Sequence, residues 1–426
     1  MLSAQATPGV NMKAHNAIPV CTLLGLGNLA TPALAEGFVE DSKISLQTKN
    51  FYLNRDFRDG TGQNKRDEWA QGFILDAKSG FTPGPVGFGV DAIGMLGIKL
   101  DSSPDRTGTG LLPVHDDGRA PDEYSKLGLT AKARFSKSLL EAGTLIPDMP
   151  TVKANNGRIF PQTFRGGLLS IGEIDALDIV AGRLTKVTDR DQTAAQDLML
   201  NNKNRRFQAG IGADRFDLAG FDYSFSKNLV GSYQYGELED VYTQHFFGLV
   251  GSVALPAGQL KADLRLAVSR DSGNAAAGKI DNRSANGMLT YSLKGHGFGV
   301  GYQQMSGDTA FPYIDGTDPY LINFVQINDF AGAKEKSWQL RYDFNFATVG
   351  LPGLTFMSRY VKGQDVELAG NASGNEWERN TELQYLFPSG PLKNLGIRWR
   401  NASYRSDFAR GADENRLIIS YSIPLL

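Results

Sequence analysis

Polar and apolar residues alternate one by one in the stretch 338–346, WQLRYDFNF. Its apolar members are Trp338, Leu340, Tyr342, Phe344 and Phe346. A period of two places alternate side chains on opposite faces of a β-strand, so this strand has one apolar face and one charged face. In a soluble β-sandwich the apolar face would pack on a second sheet, so a single strand of this kind decides nothing.

The same alternation recurs along the chain, for example at 260–269, 298–303 and 382–387. Past residue 35 no segment approaches the ~18 consecutive apolar residues of a transmembrane helix. Strands with one apolar and one polar face, repeated throughout a chain, are typical of a barrel with lipid outside and water inside. We therefore predict an all-β fold, a transmembrane antiparallel β-barrel.

The connections between the predicted strands fall into two classes of length. Short turns are predicted at 81–87, 135–138, 173–177, 226–229, 254–258, 292–297, 347–353 and 387–395. Long polar loops are predicted at 54–68, 101–124, 146–165, 185–206, 236–242, 270–286, 305–336, 362–376 and 405–415. This alternation gives about 18 strands, with short periplasmic turns and long extracellular loops. A barrel of ~16–18 strands encloses an aqueous channel, and the strand pattern begins too early for a plug domain, so we predict a passive pore.

The N-terminus predicts export. Lys13 and His15 precede the apolar stretch 18–30, and Ala33 and Ala35 after it fit an A-x-A cleavage site. A transmembrane anchor is the alternative, but the apolar stretch is shorter than the ~20 residues that an anchor needs. We expect residues 1–35 to be a cleaved signal peptide and residues 36–426 to form the barrel, which places the protein in the cell outer membrane.

Composition argues against several other classes of protein. The only cysteine, Cys21, lies inside the predicted signal peptide, so the exported chain has neither a disulfide nor a thiolate metal site. The formal net charge is −2 at pH 7, and lysine and arginine are scattered along the chain. A nucleic-acid-binding surface would require a clustered basic patch, so we expect no nucleic acid partner.

Several separated motifs in the mature chain resemble the OprD family of Gram-negative outer-membrane porins. They are NFYLNRDFR at 50–58, IFPQTFRGG at 159–167, GYQQMSGDTAFPY at 301–313, IRWR at 397–400 and ENRLIISYSIPLL at 414–426. The resemblance implies an 18-stranded, substrate-selective channel for small carboxylate-bearing nutrients, such as amino acids and organic or aromatic acids. It also implies that the third and seventh loops fold inward and that a ladder of basic residues follows one wall of the pore.

The ladder is predicted by strand parity. In GIRWRNA the apolar residues face lipid, so Arg398 and Arg400 project together into the lumen. Arg341 lies on the polar face of the stretch 338–346, and Arg359 lies on the polar face of LTFMSRY. Arginine suits this role because its planar guanidinium binds a carboxylate through two hydrogen bonds and stays ionised. The alternative is that each arginine only pairs with a nearby acid such as Asp343 or Glu382.

Two loops and the first strand supply further pore candidates. The loop 146–165 is unusually apolar, so we expect it to pack on the inner wall and to bring Arg158 and Lys153 to the pore. Asp308 in the seventh loop would face the basic wall and create a transverse field. The alternative is an external loop whose charges are solvated. For Arg55 a pore role and an anchoring ion pair with Asp56 or Asp59 both remain open.

Two other classes of function are compatible with an outer-membrane barrel. An outer-membrane barrel can act as an adhesin or receptor through its long loops, and some barrels are proteases or lipases. The chain shows no G-x-S-x-G, H-E-x-x-H or nucleotide-binding motif, so we expect no enzyme activity, no cofactor and no metal. The expected partners are small anionic or zwitterionic carboxylate solutes, outer-membrane lipid and lipopolysaccharide, and the barrel-assembly machinery, with the protein a monomer or weak oligomer.

The alternation and the export signal predict a measurable physical behaviour. The mature chain should be extracted from the outer membrane by detergent as a β-rich barrel whose electrophoretic mobility changes on heating. Circular dichroism and heated against unheated gels test this. A helix-rich spectrum, or recovery of the mature chain as a soluble periplasmic protein, would contradict it.

Overall fold

A computed structural model describes residues 37–426, and the predicted signal peptide lies outside these residues. Eighteen strands form one antiparallel sheet. In chain order, β1 to β18 are Lys43–Phe57, Lys65–Lys78, Val86–Asp101, Glu123–Phe135, Ser138–Leu145, Thr163–Ile174, Leu177–Thr188, Phe216–Ser226, Leu229–Leu238, Tyr242–Leu255, Gly258–Asp271, Asp281–Leu293, His296–Ser306, Lys336–Asn345, Leu354–Glu367, Ser373–Leu386, Gly396–Ser406 and Ala412–Pro424.

The sheet closes on itself because β1 pairs with both β2 and β18. The closing register runs from Ser45 opposite Pro424 to Phe57 opposite Ala412. Every strand therefore has two hydrogen-bonded neighbours, and the predicted 18-stranded antiparallel barrel is confirmed.

Little other regular structure accompanies the barrel. Three short 3₁₀ segments lie at Lys203–Arg205, Phe346–Val349 and Ala369–Asn371. Two small hairpins pair Asp148–Met149 with Val152–Lys153 and Leu198–Met199 with Gly212–Ala213. Within residues 37–426 the longest helical segment is far too short to cross a bilayer.

The two faces of the strands separate as the alternation predicts. In the stretch 338–346, Leu340 is 52% exposed on the outer face, whereas its neighbour Gln339 is buried inside. The outer face elsewhere carries exposed apolar side chains such as Leu127 and Val300. These residues give the barrel the apolar belt that contact with lipid requires.

The short turns are confirmed, and several loops are shorter than predicted. The nine connections at the opposite end, which we number loops 1 to 9, span 58–64, 102–122, 146–162, 189–215, 239–241, 272–280, 307–335, 368–372 and 407–411. Loops 1, 5, 8 and 9 contain few residues because their flanking strands stay paired well beyond the apolar belt. The polar ends of those strands have the composition of loops, so the sequence prediction assigned them to loops.

The buried apolar residues lie where loops meet the inner wall. One cluster joins Phe51 and Leu53 of β1 to Ile159 and Phe160 of loop 3. Gly72 of β2 lies beneath these loop residues, and a β-carbon there would be 3.2 Å from that of Ile159 and 3.4 Å from the Phe160 ring. Loop 3 therefore approaches the wall so closely that a side chain on β2 at this position would press on Ile159 and Phe160.

A substitution at Gly72 tests this packing. Gly72→Val should force Ile159 and Phe160 away from the wall and lower stability by about 1–3 kcal/mol, as overpacking usually does. The matched control is Gly94→Val on the outer face, where the nearest atom to a new β-carbon is 4.0 Å away. The temperature of the heat-induced mobility change should fall for Gly72→Val only; an equal fall for both variants would contradict the close contact.

Candidate functional site

Loop 3 crosses the barrel interior. On one side, the Thr151 amide donates to Oε1 of Gln234 on β9 at 2.8 Å. On the other side, Nζ of Lys49 on β1 donates to the carbonyl oxygen of Arg158 at 2.9 Å. Strands β1 and β9 lie nearly opposite each other in the ring, so a loop bonded to both spans the lumen. The predicted inward packing of this loop is present in the structure.

Loop 7 lies along the inner wall. Arg265 of β11 donates to the Tyr320 carbonyl at 2.8 Å, and Gln339 of β14 donates to Oδ1 of Asn323 at 2.9 Å. Further along the loop, the Gln326 side chain donates to Glu414 of β18 at 3.1 Å. These strands cover a large part of the circumference, so loop 7 also narrows the lumen.

Loop 4 is fastened to loop 7 by a buried ion pair. Arg206 donates two hydrogen bonds to Asp329, at 2.6 and 2.8 Å, and the Tyr313 hydroxyl donates to the same carboxylate at 2.8 Å. Arg206 and nearby Lys203 hold the pKa of the Asp329 carboxyl below its ordinary value, against the opposing effect of burial. Asp329 is 1% exposed, so the contact is shielded from solvent and from screening by salt.

Arg341 and Arg359 form the first part of a basic wall. They lie directly opposite each other on β14 and β15 and face the lumen. Arg341 makes two hydrogen bonds to Asp343, at 2.7 and 2.8 Å, so the local ion pair considered for it is present. Arg359 donates to the side-chain oxygen of Asn380 at 2.7 Å.

Arg398 and Arg400 continue the wall on β17. The Glu382 carboxylate lies between them, 3.5 Å from Nε of Arg398 and 3.0 Å from Nε of Arg400. Arg398 also donates to the Gln384 side chain at 2.8 Å. The two arginines remain 17% and 19% exposed, so the shared carboxylate orients the guanidinium groups while leaving part of each open to the lumen.

Arg55 pairs with neither of the acids considered for it. Its Nε donates to Oε2 of Glu414 on the neighbouring strand β18 at 2.6 Å. In the register of the closing strands Arg55 lies opposite Glu414, whereas Asp56 projects to the outer face. Strand parity separates the side chains of Arg55 and Asp56, and Glu414 is brought close only by ring closure.

Arg416 is a basic-wall residue that the sequence prediction missed. It lies opposite Arg400 in the register of β17 and β18, and its Nε donates to Oε1 of Glu414 at 2.6 Å. The alternation of Leu417, Ile419 and Tyr421 already places residue 416 on the inner face. Its parity was therefore readable, but nothing in the sequence indicates that it faces Arg400.

The two basic residues predicted on loop 3 lie at different places. Arg158 donates to the Thr109 carbonyl at 2.6 Å, and burial, followed by the positive charges of Arg416 and Arg190, lowers its pKa well below the usual value. Lys153 pairs with Asp148. Arg158 thus adjoins the basic wall, whereas Lys153 does not.

Lys153 instead lies against loop 7. Its Nζ is 5.7 Å from the centre of the Tyr320 ring, and the same ring stacks on the Arg265 guanidinium at 4.0 Å. The backbone of Lys153 also bridges to that of Asp318. Lys153 therefore joins the two inward loops on the side of the lumen near β11.

Asp308 does not face the basic wall. It lies just after β13 at the start of loop 7, is 63% exposed, and pairs with Lys279 of loop 6 at 3.1 Å. The amides of Asp308 and Thr309 both donate to the Asp281 carbonyl, which holds this segment against β12. Loop 7 does bury two other carboxylates, those of Asp329 and Glu335, each 1% exposed.

Comparison with known proteins agrees with this architecture. The model of the outer membrane porin, OprD family, matches residues 36–425. The porin-like protein GalP of Pseudomonas putida is 40% identical and covers 97% of this chain and 100% of its own length. The crystal structure of OccK5 (OpdH) of Pseudomonas aeruginosa is 59% identical with a TM-score of 0.83, covering 92% of this chain and 100% of that one.

A third relative was solved with a bound small molecule. The crystal structure of Pseudomonas aeruginosa OpdK with vanillate is 40% identical with a TM-score of 0.86, covering 91% of this chain and 100% of that one. The family match spans the whole barrel, including the strands of the basic wall and both inward loops. This chain is therefore a member of the OprD family of substrate-specific outer-membrane porins.

Proposed function

We propose that this porin admits small carboxylate-bearing solutes, anionic or zwitterionic, by passive diffusion along its basic wall. The observation that carries the proposal is a set of six arginines on the inner faces of strands near the closure of the ring. They are Arg341, Arg359, Arg398, Arg400, Arg416 and Arg55. Their ion-pair partners are three carboxylates, Asp343, Glu382 and Glu414. Glu378 lies on the same inner face, so the six arginines outnumber these four acids.

The spacing of these arginines suits a solute that moves in small steps. Neighbouring strands lie about 4.8 Å apart, and alternate residues on one strand are about 7 Å apart. A carboxylate leaving Arg398 thus finds Arg400 within a short displacement, and Arg416 faces Arg400 across the strand pair. Several moderate sites in sequence bind an anion without trapping it, which conduction requires.

The acids within the wall limit how tightly it binds an anion. Glu382 already occupies part of the hydrogen-bonding capacity of both Arg398 and Arg400. An incoming carboxylate therefore competes with a resident one in a wet lumen, where ion pairs are weak. Because of this competition, a bound solute should leave the wall rapidly, as expected of a channel.

Vanillate in OpdK gives independent support for the solute class. Vanillate is an aromatic carboxylate, and OpdK has the same fold as this chain. We extend only the chemical class, a small organic anion, to the present protein. The inward loops 3 and 7, which set the width of the lumen, would decide which member of the class passes.

Replacing Arg398 and Arg400 tests the proposal. Arg398→Gln with Arg400→Gln should lower carboxylate permeation at low salt by about tenfold, or ~1.4 kcal/mol, and shift ion preference toward cations. The barrel should still form because both side chains face water. Single-channel recording with a panel of carboxylates measures the change.

The matched control is Trp399→Leu, which changes the residue between the two arginines on the lipid-facing side of the same strand. It should alter selectivity far less than the double arginine variant. If the double variant passes carboxylates as the parent does, the basic wall is not the substrate path. If Trp399→Leu alone changes selectivity, the assigned strand parity is inverted.

The buried contact between loops 4 and 7 gives a second prediction. Asp329→Asn leaves Arg206 without its carboxylate, and breaking a buried pair typically costs ~3–5 kcal/mol. Loop 7 should then move more, and current through the open channel should become noisier. Asp308→Asn is the control, because its pair with Lys279 is exposed and worth little.

The same contact sets an expectation for acid. The pKa of Asp329 is depressed in the folded protein, so its stabilising effect is present above the ordinary aspartate pKa of ~3.9 and is lost only as pH falls below that value. Lowering the pH from 7 to about 5 should therefore leave this contact intact in the parent. Equal noise in Asp329→Asn and the parent at pH 7 would show that the contact does not hold loop 7.

A further inference from the structure

A group of cationic side chains lies on the outer face of the barrel, outside the pore. Trp338 of β14, Lys362 of β15 and Trp377 of β16 lie opposite one another, and Tyr360 lies opposite Arg379 one pair further along. The inner face of the same strands carries buried residues instead, such as Val361 and Glu378. Lys362 and Arg379 therefore project away from the lumen.

Three aromatic rings lie beside these cations, and the stacked rings of Tyr360 and Trp377 lie between Lys362 and Arg379. Trp338 and Tyr360 have ring centres 5.6 Å apart, and Tyr360 and Trp377 have ring centres 5.8 Å apart in a stacked arrangement. Tryptophan and tyrosine concentrate at the boundary between lipid chains and headgroups. Exposed Leu340 lies opposite Tyr360, and exposed Leu383 lies further from the loops, so the apolar belt begins at the level of Tyr360. The cluster thus occupies the level of the lipid headgroups, at the loop end of the barrel.

Lys362 and Arg379 differ from neighbouring cations in their lack of a partner. Nearby Lys336 pairs with Asp365 at 3.0 Å, and Arg405 makes two hydrogen bonds to Asp413 at 3.0 Å. Across the described part of the chain, neither Lys362 nor Arg379 makes a side-chain hydrogen bond or ion pair, and both are exposed. Two unpaired positive charges beside the lipid boundary would attract an anion that the protein itself does not supply.

The geometry suits a phosphate group carried on a lipid. Lys362 and Arg379 are diagonal neighbours across β15 and β16, a relation that puts their backbones about 7–8 Å apart. Long side chains from such positions converge on one phosphate, which lysine binds as a point charge and arginine binds through its fork. Acyl chains attached to that phosphate would lie against the apolar belt directly below.

We infer that Lys362 and Arg379, framed by Trp338, Tyr360 and Trp377, bind the phosphorylated headgroup of lipopolysaccharide in the outer leaflet. This lipid is anionic and carries its phosphates at the headgroup level, where the two cations lie. The inference is independent of the pore, because all five side chains are on the outer face. It holds or fails whatever solute the channel admits.

The experiment measures lipid binding by the full barrel. Delipidated protein in detergent is titrated with rough-type lipopolysaccharide that carries both lipid A phosphates, with the same lipid after dephosphorylation, and with phosphatidylglycerol. The parent should bind the phosphorylated lipopolysaccharide at least about tenfold more tightly than either of the others. Lys362→Gln with Arg379→Gln should lose that preference, and single-channel conductance should stay at the parent value.

Arg183→Gln is the matched control. Arg183 is also an exposed outer-face cation near the loop end, but it is already paired with Asp217 through two hydrogen bonds. Its loss should leave lipopolysaccharide binding unchanged. Heat-dependent mobility confirms that each variant is folded, and Lys362→Gln alone serves if the double variant is not.

Three results would overturn the inference. They are equal binding of phosphorylated lipopolysaccharide by the parent and the double variant, equal binding of the dephosphorylated lipid by the parent, and equal binding of phosphatidylglycerol by the parent. The last result would identify a general site for anionic phospholipid. Retention of tight binding by the single variant Lys362→Arg would support an electrostatic role for residue 362.

Discussion

The absence of hydrogen-bonding partners in hydrocarbon is the constraint on which this structure depends. A strand crossing the bilayer must pair its backbone groups on both edges, so the sheet has to close. Pairing of β1 with β18 meets that requirement. Closure then fixes the division between faces, because every residue that alternates with a lipid-facing side chain must point into the lumen. The polar inner face on which selectivity depends is thus a consequence of how the backbone is satisfied.

The inner face also holds the loops that shape the channel. Glu378 accepts hydrogen bonds from three successive backbone amides of loop 7, those of Gln326, Ile327 and Asn328. Gly301 lets Ile322 of the same loop approach the wall, since a β-carbon there would be 3.2 Å from the isoleucine methyl group. Polar anchors and close approach together give loop 7 a defined path. A wall that only had to contact water would need neither the hydrogen bonds of Glu378 nor a glycine at position 301.

The face on which each strand residue lies could be predicted from the sequence. The alternation placed Leu340 outside and Arg341, Arg359, Arg398 and Arg400 inside, because a period of two is a local property of the chain. The ion-pair partners of these side chains could not be predicted in the same way. Arg55 meets Glu414, 359 positions away in sequence, and Asp308 meets Lys279 instead of the basic wall, because closure and loop paths are long-range.

The boundaries of the loops were the other limit on prediction. Strands flanking loops 5, 8 and 9 remain paired after their side chains turn polar, so polarity alone overestimated those loops. The structure also shows what no pattern in loop 4 indicated, its buried contact with loop 7 through Arg206 and Asp329. That contact joins one arginine and one aspartate in distant irregular segments. Neither residue has a period or a motif to mark it.

The pairing of β1 with β18 has a consequence for how the protein forms. Ser45 lies opposite Pro424 and Phe57 opposite Ala412, so this seam joins the two extremes of the strand series. Contacts of large sequence separation form slowly in general. Until they form, the sheet has two unpaired edges, which other chains can join. A chain whose seam is still open therefore offers two strand edges for aggregation, and pairing of β1 with β18 removes both edges at once.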